Sequence, residues 1–125
     1  MIWTIQVVHY PLFGSVGEKE FTVYHRLHSN RISLIVVPMM LAELISSIMI
    51  VFYSTEINLL IRYLGLFCVA VVWISTFFLS VPEHNTLNLG LNQNSVDRLV
   101  YTNWIRTIAW TIHSFILLYV IKNGR

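Results

Sequence analysis

Charged residues are scarce in this chain. They make up 11% of its 125 residues, whereas hydrophobic residues make up 56%. Ordinary soluble domains have about 25% charged and about 45–50% apolar residues. So little polar material cannot cover a water-soluble globule, and the composition therefore indicates that lipid surrounds much of the protein. The net charge of +2 is small and scattered, which argues against a nucleic-acid partner.

Other features are absent as well. Cys68 is the only cysteine, so no internal disulfide can form, and its place in an apolar run indicates a packed thiol. The sequence contains no phosphate-binding loop, no dinucleotide-binding fingerprint and no Ser-His-Asp arrangement. Nothing in the sequence therefore resembles the nucleotide-dependent or hydrolytic enzymes that carry these motifs, which turns attention to the apolar segments.

Long apolar segments dominate the chain. A helix needs about 20 mostly apolar residues to cross a bilayer. Four predicted spans cover residues 1–16, 32–53, 59–82 and 97–121. The first is uncharged but short, and Pro11 predicts a kink within it. We therefore predict an all-α fold, an integral membrane four-helix bundle that forms a single transmembrane domain over residues 1–125.

The connections between the spans are polar. In segment 17–30, Phe21, Tyr24, His25 and His28 fall on one face of a helix. This predicts either an extension of the first helix or an interfacial helix between the first and second spans. We expect a loop over 83–94. The predicted N-caps are Ser29 or Asn30, then Ser54 or Thr55, then Asn94 paired with Asp97.

Polar residues inside the predicted spans indicate a polar bundle interior. Asn103, Arg106, Trp110 and His113 follow one another at three- and four-residue steps, so they share one helix face that cannot be turned to lipid. Glu43 lies near the midplane of the second span. One interpretation is a buried Glu43–Arg106 ion pair that fixes how two helices dock. Another gives both residues, with Asn103, a catalytic role.

A matching stripe is expected on the third span if its helix continues past Pro82. Its members are Trp73, Thr76 or Phe77, Ser80 and His84.

The histidines suggest two kinds of cofactor site. His25 and His28, three residues apart on one helix face, together with His84 on the same side of the membrane, supply three nitrogen ligands. Such a site suits a transition metal (zinc, iron or copper) and leaves one position open. The alternative is a haem held axially between His9 and His113, which requires both at matching depth.

Several short segments carry a resemblance to known families. They are His9-Tyr10-Pro11-Leu12-Phe13, Tyr24-His25 with His28, Glu43, Val81-Pro82-Glu83-His84 and Asn103-Trp104-Ile105-Arg106-Thr107. Over nearly the whole chain they resemble a family of small uncharacterised bacterial membrane proteins. The helix count and the last helix are more distantly similar to anthrone-oxygenase-like membrane proteins. The resemblance implies a multi-pass protein of the bacterial inner (plasma) membrane, with oxidation of a hydrophobic substrate as one activity.

The polar residues, the histidines and the family resemblance lead to two hypotheses for the function. In the first, the protein is a metal-dependent oxidoreductase, in which Arg106 and Asn103 orient an anionic or carbonyl oxygen of a small hydrophobic molecule that enters from the bilayer. In the second, it is a non-enzymatic membrane component: a subunit of a larger complex, a haem or pigment holder, or a small carrier. A homo-oligomer is compatible with either function.

Overall fold

The computed structural model describes residues 1–123, in which four helices and no strand occur. Helix α1 consists of three consecutive pieces, Ile2–Thr4, Ile5–His9 and Tyr10–Phe13. Helix α2 is Glu18–Tyr53, helix α3 is Leu59–Leu87 and helix α4 is Gln93–Asn123. Helix α3 packs against α4 and α2, and α1 packs against α4. The predicted all-α fold is confirmed.

Three of these helices, α2, α3 and α4, are long and apolar enough to cross a membrane. Their large apolar side chains point outwards: Leu34, Phe52 and Phe78 are at least 75% exposed. In contrast, α1 spans 12 residues, residues 2–13, or about 18 Å, whereas a bilayer core is about 30 Å thick. A fourth span over residues 1–16 therefore stays a prediction.

Segment 17–30 is helical, but it belongs to the second helix. Residues 18–30 form the first turns of the 36-residue helix α2 without a break at Ser29 or Asn30, so the predicted N-cap there is wrong. At about 1.5 Å per residue, α2 is about 54 Å long and exceeds the bilayer core. The amphipathic pattern is explained by packing, because Phe21 and His25 are fully buried.

Helix α3 continues through Pro82 to Leu87, so only residues 88–92 form the loop that was expected over 83–94. A proline lacks an N–H and its ring clashes with the carbonyl four residues earlier. Just before Pro82, the stretch Thr76–Ser80 is π-helical, and α1 has a π-helical stretch, Ile5–His9, just before Pro11. The wider π turns make room for both rings, so both helices continue past their prolines.

The observed N-caps differ from the expected ones. Asn58, not Ser54 or Thr55, caps α3, since its side-chain oxygen accepts a hydrogen bond of 2.8 Å from the Leu60 N–H. Asn92 does the same for α4 by accepting from the Ser95 N–H at 3.2 Å. The capping pair predicted for α4, Asn94 with Asp97, is not formed. Asn94 lies inside the first turn of α4, and Asp97 accepts a hydrogen bond from the Gln93 side chain.

The core has two apolar clusters separated by a polar layer. One cluster lies near the 88–92 loop and includes Phe13, Phe21 and Leu99. The other is formed by Met40, Val72 and Ala109. Along α4, the polar layer occupies residues 103–107, between Leu99 and Ala109. The predicted inward face of the last helix is confirmed, because Asn103, Arg106 and His113 are all at most 5% exposed.

Candidate functional site

Arg106 is the centre of the polar layer. Its Nε donates to Asn103 Oδ1 at 2.9 Å, and its Nη2 donates a second hydrogen bond to the same oxygen. Nη2 also donates to the Tyr10 hydroxyl at 2.9 Å, and Nη1 donates to Thr76 Oγ1 at 3.4 Å. A guanidinium has five N–H groups. These four hydrogen bonds leave one Nη1–H of Arg106 without a partner among residues 1–123.

No carboxylate among the described residues pairs with Arg106. The Glu43–Arg106 ion pair suggested by the sequence is therefore wrong. Instead, Glu43 accepts a hydrogen bond from Trp110 Nε1, and its other oxygen lies 3.4 Å from His113 Nε2. Ser47 Oγ lies 3.4 Å from the same His113 nitrogen. Glu43 therefore lies at the level of residues 110–113 of α4. Its carboxylate contacts Trp110 and His113, which lie one and two turns beyond Arg106.

A chain of hydrogen bonds leads from Arg106 towards the 88–92 loop. The Tyr10 hydroxyl lies 3.3 Å from His84 Nε2, and His84 Nδ1 lies 3.0 Å from His25 Nε2. His25 Nδ1 lies 3.0 Å from Asn88 Oδ1. His25 is fully buried, whereas Asn88 is exposed. The chain thus connects the buried guanidinium with the surface of the protein.

Gln6 supports the other side of the polar layer. Its Oε1 accepts from Asn103 Nδ2 at 2.8 Å and from the Thr107 hydroxyl at 3.3 Å. Its Nε2 donates to the Val100 carbonyl at 3.0 Å. Asn103 is therefore held on both sides, and it in turn orients Arg106. Gln6 and Tyr10 were not among the predicted site residues. Their four-residue spacing, with Phe13 three residues further on, is the signal for the buried face of α1.

The three predicted metal ligands are only partly brought together. His25 and His84 contact each other directly, with their rings stacked at a centroid distance of 5.2 Å. His28 instead packs on Phe13 and His9, at centroid distances of 5.1 and 5.4 Å. Within residues 1–123, no group of three or more His, Cys, Asp or Glu side chains is placed to hold a metal ion.

The two histidines considered for haem lie in different clusters. His9 lies beside His28 and directly precedes Tyr10, which contacts Arg106. His113 lies beside Glu43, seven residues beyond Arg106 on α4, which is about 10 Å along the helix axis. The structure therefore does not bring His9 and His113 to a shared depth.

A cavity of about 220 Å³ adjoins the polar layer. All four helices contribute to its wall, which is mostly apolar and includes Met40, Phe77 and Trp110. Arg106, Tyr10 and His84 form its polar end, and the predicted third-helix stripe, Trp73 to His84, lines it as well. The buried Trp73 Nε1–H has no hydrogen-bond partner among the described residues. The cavity therefore combines an apolar wall with a polar end formed by Arg106, Tyr10 and His84.

No protein-family model, no curated protein and no solved structure matches this chain. The family resemblance noted in the sequence therefore stays a prediction.

Proposed function

We propose that this is a multi-pass protein of the bacterial inner membrane that binds a small hydrophobic molecule in the cavity beside Arg106, with an oxygen atom of that molecule accepting a hydrogen bond from the guanidinium. The observation that carries the proposal is Arg106 itself. It is 5% exposed, has no carboxylate partner in residues 1–123, keeps one N–H without a partner there, and lines the cavity. Burial of a charge is costly, which favours a partner for it in the cavity.

The cavity limits the size of the ligand. An apolar cavity of about 150 Å³ holds one benzene molecule. A volume of about 220 Å³ is half as large again and suits a one- or two-ring compound. Trp73, Phe77 and Trp110 offer aromatic faces on which such rings pack. Phe77, which lines the cavity, is 56% exposed, which fits entry from the bilayer.

The four tryptophans allow a direct test with 1-naphthol as the probe. Two of them, Trp73 and Trp110, line the cavity, whereas Trp3 and Trp104 do not. In protein labelled with ¹⁵N-tryptophan and held in lipid nanodiscs, we expect 1-naphthol to shift the indole signals of the cavity pair saturably. The other two signals serve as internal controls. Equal, non-saturating shifts of all four signals would indicate partition into lipid and would refute the proposal.

A metal-dependent oxidoreductase is the second candidate. Its support is that His25 Nε2 and His84 Nδ1, two of the three predicted ligand atoms, lie 3.0 Å apart, where they now form a hydrogen bond. Two nitrogens bound to one tetrahedral metal at 2.0–2.1 Å lie about 3.3 Å apart. Metal analysis of detergent-purified protein tests this candidate. We expect about one transition metal per chain, lost in the His84→Ala variant, whereas metal-free wild-type protein that keeps its fold would contradict it.

A further inference from the structure

The hydrogen-bond chain between the cavity and the loop has a defined direction. Asn88 Oδ1 accepts only, so His25 donates to it from Nδ1. A neutral imidazole has one donor and one acceptor nitrogen. His25 Nε2 is then an acceptor, and it receives a hydrogen bond from His84 Nδ1. His84 Nε2 is therefore also an acceptor, and the Tyr10 hydroxyl donates to it.

This direction determines what Tyr10 offers to the cavity. Its one proton is directed at His84, and one of its lone pairs accepts from Arg106 Nη2. The hydrogen-bonding capacity left on the Tyr10 oxygen is that of an acceptor. Beside it, Arg106 has an unused Nη1–H, which is a donor. Both residues line the cavity. The polar end of the cavity therefore presents one acceptor and one donor.

We propose that the ligand of this cavity bears a hydroxyl group, which donates its proton to Tyr10 and accepts a hydrogen bond from Arg106. This inference rests on the proposed function and narrows it to phenol-like compounds. A carbonyl oxygen satisfies Arg106 but meets a lone pair at Tyr10, because His84 holds the tyrosine proton away from the cavity. In this account His84 is a positioning residue that selects hydroxyl over carbonyl without contacting the ligand oxygen.

Two probes of nearly equal size separate these possibilities. 1-Naphthol carries a hydroxyl and 1-naphthaldehyde carries a carbonyl on the same ring system. Both affinities are measured by the tryptophan indole titration in nanodiscs. A buried acceptor that loses its donor costs about 1–3 kcal/mol, which weakens binding by about 5- to 150-fold. We expect wild-type protein to prefer 1-naphthol by a factor in this range.

Variants identify the origin of the preference. In His84→Leu, the Tyr10 proton is free to turn to a carbonyl oxygen, so we expect the preference for 1-naphthol to fall towards one. His28→Leu is the matched control, since His28 lines the same cavity but is not hydrogen-bonded to Tyr10. We expect it to keep the wild-type ratio. Tyr10→Phe should weaken 1-naphthol and strengthen 1-naphthaldehyde, because it removes the acceptor that the hydroxyl satisfies and the carbonyl leaves unpaired.

The outcomes distinguish the two proposals. If neither probe shifts the cavity tryptophans, the proposed function fails together with this inference. If both probes bind the wild type equally well, or the aldehyde binds better, only the inference is overturned. The wild-type ratio needs no variant, so the inference stays testable even if His84→Leu does not fold. An unchanged ratio in folded His84→Leu protein would also overturn the role of His84.

Discussion

Replacement of Arg106 by methionine should weaken ligand binding strongly while it leaves the bundle folded. A hydrogen bond to a charged group contributes about 1.5–3 kcal/mol. At about 1.4 kcal/mol per factor of ten, loss of the Arg106 Nη1 contact corresponds to about a 10- to 150-fold higher Kd for 1-naphthol. Arg106→Lys keeps the charge but not the planar fork that holds Asn103 and Tyr10, so we expect an intermediate Kd.

Stability must be measured beside affinity, because Arg106 also supports its neighbours. In the methionine variant, Asn103 Oδ1 loses its guanidinium donors, which costs about 1–3 kcal/mol. Removal of a buried charge offsets part of this cost. Arg98→Met is the matched control, since the Arg98 side chain is 73% exposed on the same helix. Wild-type affinity in folded Arg106→Met protein, or equal weakening in Arg98→Met, would refute the reasoning.

Three further predictions concern stability, measured as the free energy of unfolding in detergent. Phe13→Ala removes a fully buried ring and should cost about 3–5 kcal/mol, whereas Leu12→Ala, at a half-exposed neighbour, should cost little; equal effects would contradict the packing. Glu43→Ala leaves the Trp110 indole N–H without its acceptor and should cost about 1–3 kcal/mol more than Glu43→Gln, whose amide oxygen can still accept; no difference would show that this contact is not formed. Asn58→Ala removes the α3 cap and should cost about 1 kcal/mol, unlike Ser54→Ala; the reverse order would assign the cap to Ser54.

The features that depend on composition and periodicity were predictable from the sequence. Runs of apolar residues indicated the long helices, and the spacing of Asn103, Arg106 and His113 indicated their burial. The stripe that was predicted on the third helix, provided that this helix continues past Pro82, is confirmed too, since Trp73 and His84 both line the cavity. Helical periodicity depends only on the local sequence, so it can be recognised without knowing which helices pack against one another.

The partners of these side chains were not predictable, because they depend on the relative height of the helices. Glu43 and Arg106 have opposite charges and both lie inside long apolar helices, yet the carboxylate of Glu43 contacts Trp110 and His113 instead of Arg106. Helix ends were equally hard to locate. Pro82 reads as a helix end, and only the π-helical turn before it, which the sequence does not reveal, lets α3 continue. Because α3 continues, His84 lies between Tyr10 and His25 and hydrogen-bonds to both.

The most direct test of the account is the position of a bound ligand. We suggest a crystal structure of the protein with 4-bromo-1-naphthol, in which anomalous scattering locates the bromine. We expect one bromine site inside the cavity, with the hydroxyl oxygen about 3 Å from both Arg106 Nη1 and Tyr10 Oη. Bromine sites confined to the outer surfaces of the helices, with none in the cavity, would contradict the proposed binding site.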